Sequence, residues 1–285
     1  MTTISTLEGI TAKEIVTAFN LSFSDYFVPM QLTSEQLSVK FKSENFNPDY
    51  SVGAFNNGRL VGFILHFYDK VNGEIKIYNG GTGVIKEFRG QGLTQKMYAF
   101  IIPQLKKAGI SHIVLEVLTQ NIQAIKSYEK VGFLHNRILK CFKGQASVSN
   151  VNGEIDIEEA LLYDWNRLIL FWDFEPTWQN SIQTLENLKI ENVLIYAKIA
   201  NMIVGYLVYN PKTKRIQQIA VDKKFRRKGI ASAMVRYLIQ KHGTNLVLIN
   251  VESGNLEITR FLEKIGLQNH IDQIELKCEL KNYQE

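Results

Sequence analysis

The feature that most constrains this chain is a repeat within it. Gly83-Val-Ile-Lys-Glu-Phe-Arg-Gly-Gln-Gly-Leu-Thr94, followed by Asn121-Ile-Gln-Ala-Ile-Lys-Ser-Tyr-Glu-Lys-Val-Gly-Phe133, is matched in order further on. The second copy reads Ile219-Ala-Val-Asp-Lys-Lys-Phe-Arg-Arg-Lys-Gly-Ile-Ala231, then Asn255-Leu-Glu-Ile-Thr-Arg-Phe-Leu-Glu-Lys-Ile-Gly-Leu267. Asn and Gly are 11 residues apart in both second segments, and Arg and Gly are three apart in both first segments. A looser echo sets Asp25-Tyr-Phe-Val-Pro29 against Asp173-Phe-Glu-Pro176. Such self-similarity decides the architecture before any single element does. A length of 285 residues accommodates two domains, expected at 1–146 and 147–285, with Gly144 to Gly153 as the linker.

The local pattern is the same in each half. Residues 11–22 and 34–42 read as helices capped by Thr11 and Ser34. Tyr50–Phe55 and Leu60–Tyr68 read as strands about an Asn56-Asn57-Gly58 turn. Ile75–Ile85 reads as a strand whose Gly80 and Gly81 suit a bulge. An apolar stripe from Leu93 to Leu105 predicts a helix, Ile113–Leu118 a strand, Asn121–Lys130 a helix and Arg137–Phe142 a strand. Strands at 193–198, 203–209, 217–221, 246–251 and 271–280, with helices from Ile230 and from Asn255, repeat the order. The expected class is α/β (α+β): two tandem domains, each a twisted, mostly antiparallel mixed sheet flanked by helices.

A glycine-bearing turn that opens a helix offers unpaired N–H groups and the positive end of the helix dipole to an anion. Arg89-Gly90-Gln91-Gly92-Leu93-Thr94 and Arg226-Arg227-Lys228-Gly229-Ile230-Ala231 both have this form, and either is also an ordinary strand-to-helix turn. Together with the downstream Asn helices, these residues resemble the GNAT (GCN5-related N-acetyltransferase) family, marked by Arg/Gln-x-x-Gly-x-Gly/Ala and then Asn-x-x-Ala-x-x-x-Tyr. The resemblance covers nearly the whole chain twice, although Thr94 stands where the family has Gly or Ala.

The resemblance implies acetyl-CoA as co-substrate, with its pyrophosphate on the two turns. It also implies that its pantetheine arm lies along Val84 and Ile85 in the first half and Ala220 and Val221 in the second, with Asn121 and Asn255 beside it. Tyr128, two helical turns beyond Asn121, is implied as the acid serving the thiolate; on spacing alone it is equally a core ring. The first half is similar to ribosomal-protein N-terminal acetyltransferases in Leu115-Glu116-Val117. That similarity implies Glu116 as general base, where strand alternation alone gives a solvent-facing residue. Tyr26 and Phe27 fall where the family shapes its acceptor site, or they are plain packing. Asn250 and Leu262 occupy the positions of Glu116 and Tyr128 in the second copy, which is therefore expected to keep the fold without this chemistry. Trp165, Trp172 and Trp178 form either packing or an aromatic substrate wall.

The expected activity is N-acetyl transfer to a primary amine, small-molecule or peptide, by direct attack. The alternatives are a silent acyl-CoA-binding protein and an enzyme active in its C-terminal half. A net charge of +5 suits an anionic partner. The run Lys223 to Lys228 lacks the spread of stacking residues that a nucleic-acid surface needs. No metal is expected, because the five histidines form no ligand cluster. Cys141 and Cys278 read as reduced thiols. No apolar run reaches the roughly 18–20 residues of a membrane span, and Met1–Ile10 has no signal-peptide pattern. The expected setting is cytoplasmic, as monomer or homodimer, with no membrane or nucleic-acid partner.

Overall fold

The structure, a computed structural model, describes residues 1–28, 30–71, 73–149 and 155–281. In chain order its first elements are β1 (Thr2–Thr6), α1 (Ala12–Ser22), α2 (Ser34–Glu44), β2 (Val52–Asn56), β3 (Arg59–Val71), β4 (Glu74–Val84), α3 (Leu93–Lys107), β5 (His112–Leu118) and α4 (Ile122–Glu129). Then come β6 (Leu134–Gln145), β7 (Asp156–Ala160), α5 (Trp165–Leu168), α6 (Ile182–Asn187), β8 (Val193–Ile199), β9 (Met202–Asn210) and β10 (Arg215–Val221). The chain closes with α7 (Ile230–His242), β11 (Asn245–Glu252), α8 (Leu256–Lys264) and β12 (Gln268–Glu279).

Two compact units result, and they do not divide at 146/147. The first comprises Met1–Asn136 with Ile274–Glu285, and the second Arg137–Gln273. The division therefore runs through β6 and β12. From Leu139 onward β6 pairs antiparallel with β11, and Leu276, Cys278 and Leu280 from the chain's end fill the first core. Hydrophobic periodicity identifies a strand but not its partner, which is why the repeat placed this boundary wrongly. Gly144 and Gln145 are strand residues and Ala146 is buried in the second unit's core, so none of these is linker; Asn150–Gly153 of the expected linker and Pro29 of the Asp25 echo lie outside the described residues.

In the first unit the sheet runs β1-β2-β3-β4-β5-β12. The β2–β3 turn has Asn57 at φ 49 and Gly58 at φ 76, the left-handed pair that a two-residue hairpin requires. Helices α1 and α2 pack on one side, where Phe63 stacks on Phe19 and Phe67 meets Phe41. Helix α3 covers the other side, burying Leu93, Met97, Tyr98, Ile101 and Leu105 against Val61, Ile64 and Ile77. Thr11 and Thr33 close capping boxes with Glu14 and Gln36; the second cap is Thr33, not Ser34. The second unit runs β6-β11-β10-β9-β8-β7, with α7 buried through Ile230, Met234, Val235 and Leu238. The edge strands β1 and β7 carry too few apolar residues to stand out in the sequence.

Gly144 packs where no side chain fits, since a Cβ there would lie 2.6 Å from the carbonyl oxygen of Gly266. Backbone on both sides cannot step away cheaply. Gly144→Val is expected to cost about 1–3 kcal/mol, read as a lowered melting temperature by circular dichroism; an unchanged melt would disprove this packing constraint.

Candidate functional site

Helices α1, α2 and α4 begin under side-chain caps from Thr11, Thr33 and Asn121, as do α6 and α8 under Ser181 and Asn255. Helices α3 and α7 begin differently. Each starts at a left-handed glycine, Gly92 at φ 69 and Gly229 at φ 83, with no side-chain cap. Their first-turn N–H groups therefore present the positive helix end to whatever approaches. A Cβ added at Gly90 would touch nothing within 4 Å, and one at Gly92 only the Gln95 side chain at 3.4 Å, so the turn faces open space. Gln91 is exposed and Thr94 half-buried. The side chains of Leu93 and Ile230 lie in the cores, so only their backbones serve the turns. In the second turn Arg227 holds the left-handed conformation, at φ 64, that Gly90 holds in the first. Lys228 lies over the Phe225 ring at 5.1 Å, and Ala231 is half-buried.

The two arginines of the motif are occupied. Arg89 grips both carboxylate oxygens of Asp25 at 2.8 and 2.9 Å and also donates to the carbonyls of Ser22 and Val84. The guanidinium beside it holds the Asp25 carboxyl below its ordinary value. Arg226 repeats the arrangement with Asp173, Phe171 O and Val221 O, adding Glu257. The Asp25/Asp173 echo thus has a structural meaning: each acid anchors its own motif arginine. The basic run from Lys223 is correspondingly partly paired, with Lys223 3.8 Å from Asp173.

Strands β4 and β5 are parallel from Lys76↔His112 to Tyr78↔Val114. Beyond that ladder β4 carries its bulge: the pairing with β3 jumps from His66↔Asn79 to Leu65↔Gly81, leaving Gly80 as the extra residue. Ile85 N–H is spent on Val61 O, so of the two positions expected beside the pantetheine arm Ile85 has its N–H already bonded. Val84 turns its carbonyl toward Arg89, and a strand residue's N–H and C=O point to the same side. Its N–H therefore faces the β5 side. In the second unit Asp222 N–H is spent on Val204 O and Val221 O accepts from Arg226. Val221 is thus the counterpart of Val84, one position on from the expected pairing, and Ala220 is the counterpart of Gly83.

Asn121 caps α4 through Ala124 N–H at 3.2 Å, and its amide reaches the Tyr26 hydroxyl at 3.4 Å. Asn255 caps α8 in the same way, so capping alone accounts for this Asn in both copies. Tyr26 packs edge-on to Phe27, whose own ring is exposed. Tyr128 is buried against Tyr98 and Phe133. Burial pushes its hydroxyl up to about 12, while hydrogen bonding with Thr82 and Asn79 pulls the other way. Asn79 ties this cluster together, donating to Thr82 Oγ1 at 2.7 Å and to the Tyr98 hydroxyl at 2.8 Å. Asn79, Thr82 and Tyr98 were not anticipated; two polar residues flanking a Gly-Gly pair in a strand were the available signal.

Glu116 is half-buried and accepts a 2.5 Å hydrogen bond from the Tyr78 hydroxyl. Burial raises its carboxyl to about 7, opposed by that hydrogen bond; Glu275 and Glu44 add to the rise and Lys40 opposes it. It is therefore not a solvated strand residue. Leu115 and Val117 share the core with Tyr128, so alternation sets Glu116 on the other side of β5 from Tyr128.

In the second unit Leu262 is fully buried. Asn250 sits at φ 62 where the β11–β6 register shifts, its amide held by Thr177 and Gln273. A cleft of about 560 Å³ opens beside Gly229, Ala231 and Asn255 and is walled by Trp172, Tyr206 and Phe261. Trp172 donates to the Tyr206 hydroxyl, which donates to Gln218. Trp165 stacks on Tyr163 and bonds Glu186, so among these tryptophans packing and cleft wall are both represented. Gln217, also on the cleft, has a buried Oε1 without a partner. Both cysteines are buried and free. Among the described residues no group of His, Cys, Asp or Glu is placed to hold a metal ion, and no helix is long and apolar enough to cross a membrane.

An N-alpha-acetyltransferase 30 of Schizosaccharomyces pombe is 32% identical over 87 residues, covering 30% of this chain and 58% of that protein. A probable spermine N(1)-acetyltransferase of Bacillus subtilis subsp. natto is 31% identical over 90 residues, covering 30% of this chain and 59% of that one. The chain thus spans somewhat under three fifths of the length of these curated relatives. A solved tandem GNAT protein from the clavulanic acid biosynthesis pathway shares the fold over 100% of both chains, with a TM-score of 0.73 at 11% identity. The pattern of the Acetyltransferase (GNAT) family matches residues 15–133 and again 160–267. Fitted twice and over most of its length, the chain belongs to the GNAT acetyltransferase family.

Proposed function

We propose that the first unit transfers acetyl from acetyl-CoA to a primary amine by direct attack, and that the second unit holds the same kind of ligand without this chemistry. The observation that carries the reading is the placement of Glu116 and Tyr128 on opposite sides of β5, next to the stretch where β4 and β5 are no longer paired. An amine arriving from the Glu116 side and a thioester lying on the Tyr128 side meet between the strands. The uncapped helix end at Gly92 fits a pyrophosphate, and the open space over Gly90 leaves room for it.

Attack requires the amine lone pair. Glu116 accepts the amine's proton as the N–C bond forms, directly or through water. Val84 N–H faces the β5 side and meets the carbonyl oxygen as charge grows on it. Tyr128 gives its proton to sulfur as the C–S bond breaks, and a hydroxyl with an elevated pKa holds that proton until the thiolate demands it. Tyr26 and Phe27 border the acceptor's approach. The names of the relatives supply a protein N-terminus and a polyamine as acceptor classes to try first.

The cleft of the second unit supports a second reading, in which that unit supplies the chain's affinity for acyl-CoA. Its carboxylates nearest the turn, Asp173 and Glu257, are both bonded to Arg226.

Three outcomes follow. Gly92→Glu sets a carboxylate at the anion site and should abolish acetyl-CoA binding to the first unit by calorimetry. Gly92→Asn, which tolerates the left-handed backbone, should keep it, and equal affinity in both variants would remove the turn from the site. Turnover should rise with pH through about 7 as Glu116 loses its proton, and Glu116→Gln should flatten that limb while lowering kcat/KM; an unchanged profile would reassign the base. Tyr128→Phe keeps the ring and should lower kcat by about 10²-fold with KM for acetyl-CoA little changed; near-normal kcat beside a normal melt would leave the thiolate to water.

A further inference from the structure

The first unit's site includes a carboxylate from the far end of the chain. Leu280 N–H donates to Ser111 O at 2.9 Å. Strand β12 lies beside β5, and it precedes Leu280 whereas β5 follows Ser111, so the two strands are antiparallel. Counting along an unbroken ladder from Leu280↔Ser111 sets Glu279 opposite His112, Lys277 opposite Val114 and Glu275 opposite Glu116. Two independent facts agree with this register. Leu276 and Cys278 share the core with Ile113 and Leu115, and the charges of Glu279 and Lys277 act on His112 as that of Glu275 acts on Glu116. Leu280↔Ser111 is a hydrogen-bonded pair, so five residues along, Glu116↔Glu275 is a non-hydrogen-bonded one, in which side chains stand closest. Their Cβ atoms are then about 5 Å apart.

Like charges directly opposed on a sheet repel. Glu275 is only 5% exposed, so water does little to screen the pair. Its Oε1 accepts from the Asn136 amide at 2.5 Å. The other groups facing Glu116 are the Tyr78 hydroxyl from β4 and the Lys40 and Glu44 charges from α2. Lys40 is bonded to both oxygens of Glu44 at 2.7 Å, so little of its charge is left to offset Glu275.

We infer that Glu275 is a positioning residue of the first unit's site: its carboxylate, held by Asn136 opposite Glu116, adds to what burial does in keeping the proton on Glu116. The inference rests on the proposed role of Glu116 as base and adds to it a group some 160 residues away in sequence. A carboxyl that binds its proton more tightly when folded costs stability as pH rises from its free value through its folded one. The pair should therefore weaken the fold more at pH 8 than at pH 5.

The test uses the full chain with Glu275→Gln and, should that variant fold poorly, Glu275→Met. In steady-state CoA release the acidic limb of kcat/KM should move down by about one pH unit or more, with the high-pH plateau within a few-fold of wild type. In thermal melts the variant should gain over wild type at pH 8 but not at pH 5, a readout that needs no turnover. A limb that stays in place together with a pH-independent melt difference overturns the inference. Loss of the plateau with an intact melt also overturns it, since Glu275 would then be the proton acceptor itself. Full activity in Glu116→Gln removes the base assignment instead, and the melts at the two pH values still report whether the carboxylates are coupled.

Discussion

Two adjacent parallel strands that stop pairing before their ends frame the candidate site of each unit. In the first unit the β4–β5 ladder stops at Tyr78↔Val114, and β4 then takes its Gly80 bulge. In the second, β10 and β11 pair at Arg215↔Val247, and β10 bulges at Gln217 between Ile216 and Gln218. Backbone N–H groups at such a gap have lost their sheet partners and remain to be satisfied. The motif arginine holds the geometry, taking the carbonyl of Val84 or Val221 and anchoring it to Asp25 and Ser22 O in the first unit and to Asp173 and Phe171 O in the second. These exposed ion pairs add little stability by themselves; their contribution is the position of the strand end.

Around this common frame the copies differ residue by residue. The bulge position is Gly80 in one and Gln217 in the other, and a Cβ at Gly80 would fall 2.4 Å from the Phe67 ring. Gln217 instead has a buried side-chain oxygen without a hydrogen-bond partner, in a residue that helps to line the cleft. Where the first copy has Glu116 and Tyr128, the second has a carboxamide committed to Thr177 and Gln273 and a leucine in the core. The second unit thus keeps the uncapped glycine turn and has packing and neutral hydrogen bonds where the first has a carboxyl and a phenol.

The repeat, the helix and strand order, the glycine turns and the hairpin at Asn57-Gly58 were legible because each depends on local pattern. Glu116 and Tyr128 were legible as positions, yet their surroundings were not. Nothing near Glu116 in sequence announces Tyr78 or Glu275, and strand alternation taken alone exposed it to water. Arg89 and Arg226 read as phosphate ligands because a positive charge at a phosphate-type turn is ambiguous until its acid partner is known. Asp25 and Asp173 were visible as an echo without a role, for the pairing closes over 64 residues in the first unit and 53 in the second.

The same non-locality governs where the first unit ends. A boundary at residue 146 would give that unit every motif residue and still deprive it of Leu276, Cys278 and Leu280, all essentially fully buried in its core. It would also leave β5 without its β12 neighbour. Removing three buried apolar side chains costs several kcal/mol by transfer alone, a large share of what holds a domain of this size together. Strand β12 thus brings two things at once, core-filling side chains on one face and Glu275 on the other, and alternation along a single strand requires them to arrive together. The charge environment of Glu116 is therefore tied to the completion of the first unit's core, and a fold lacking that strand would alter its acid–base behaviour as well as its stability.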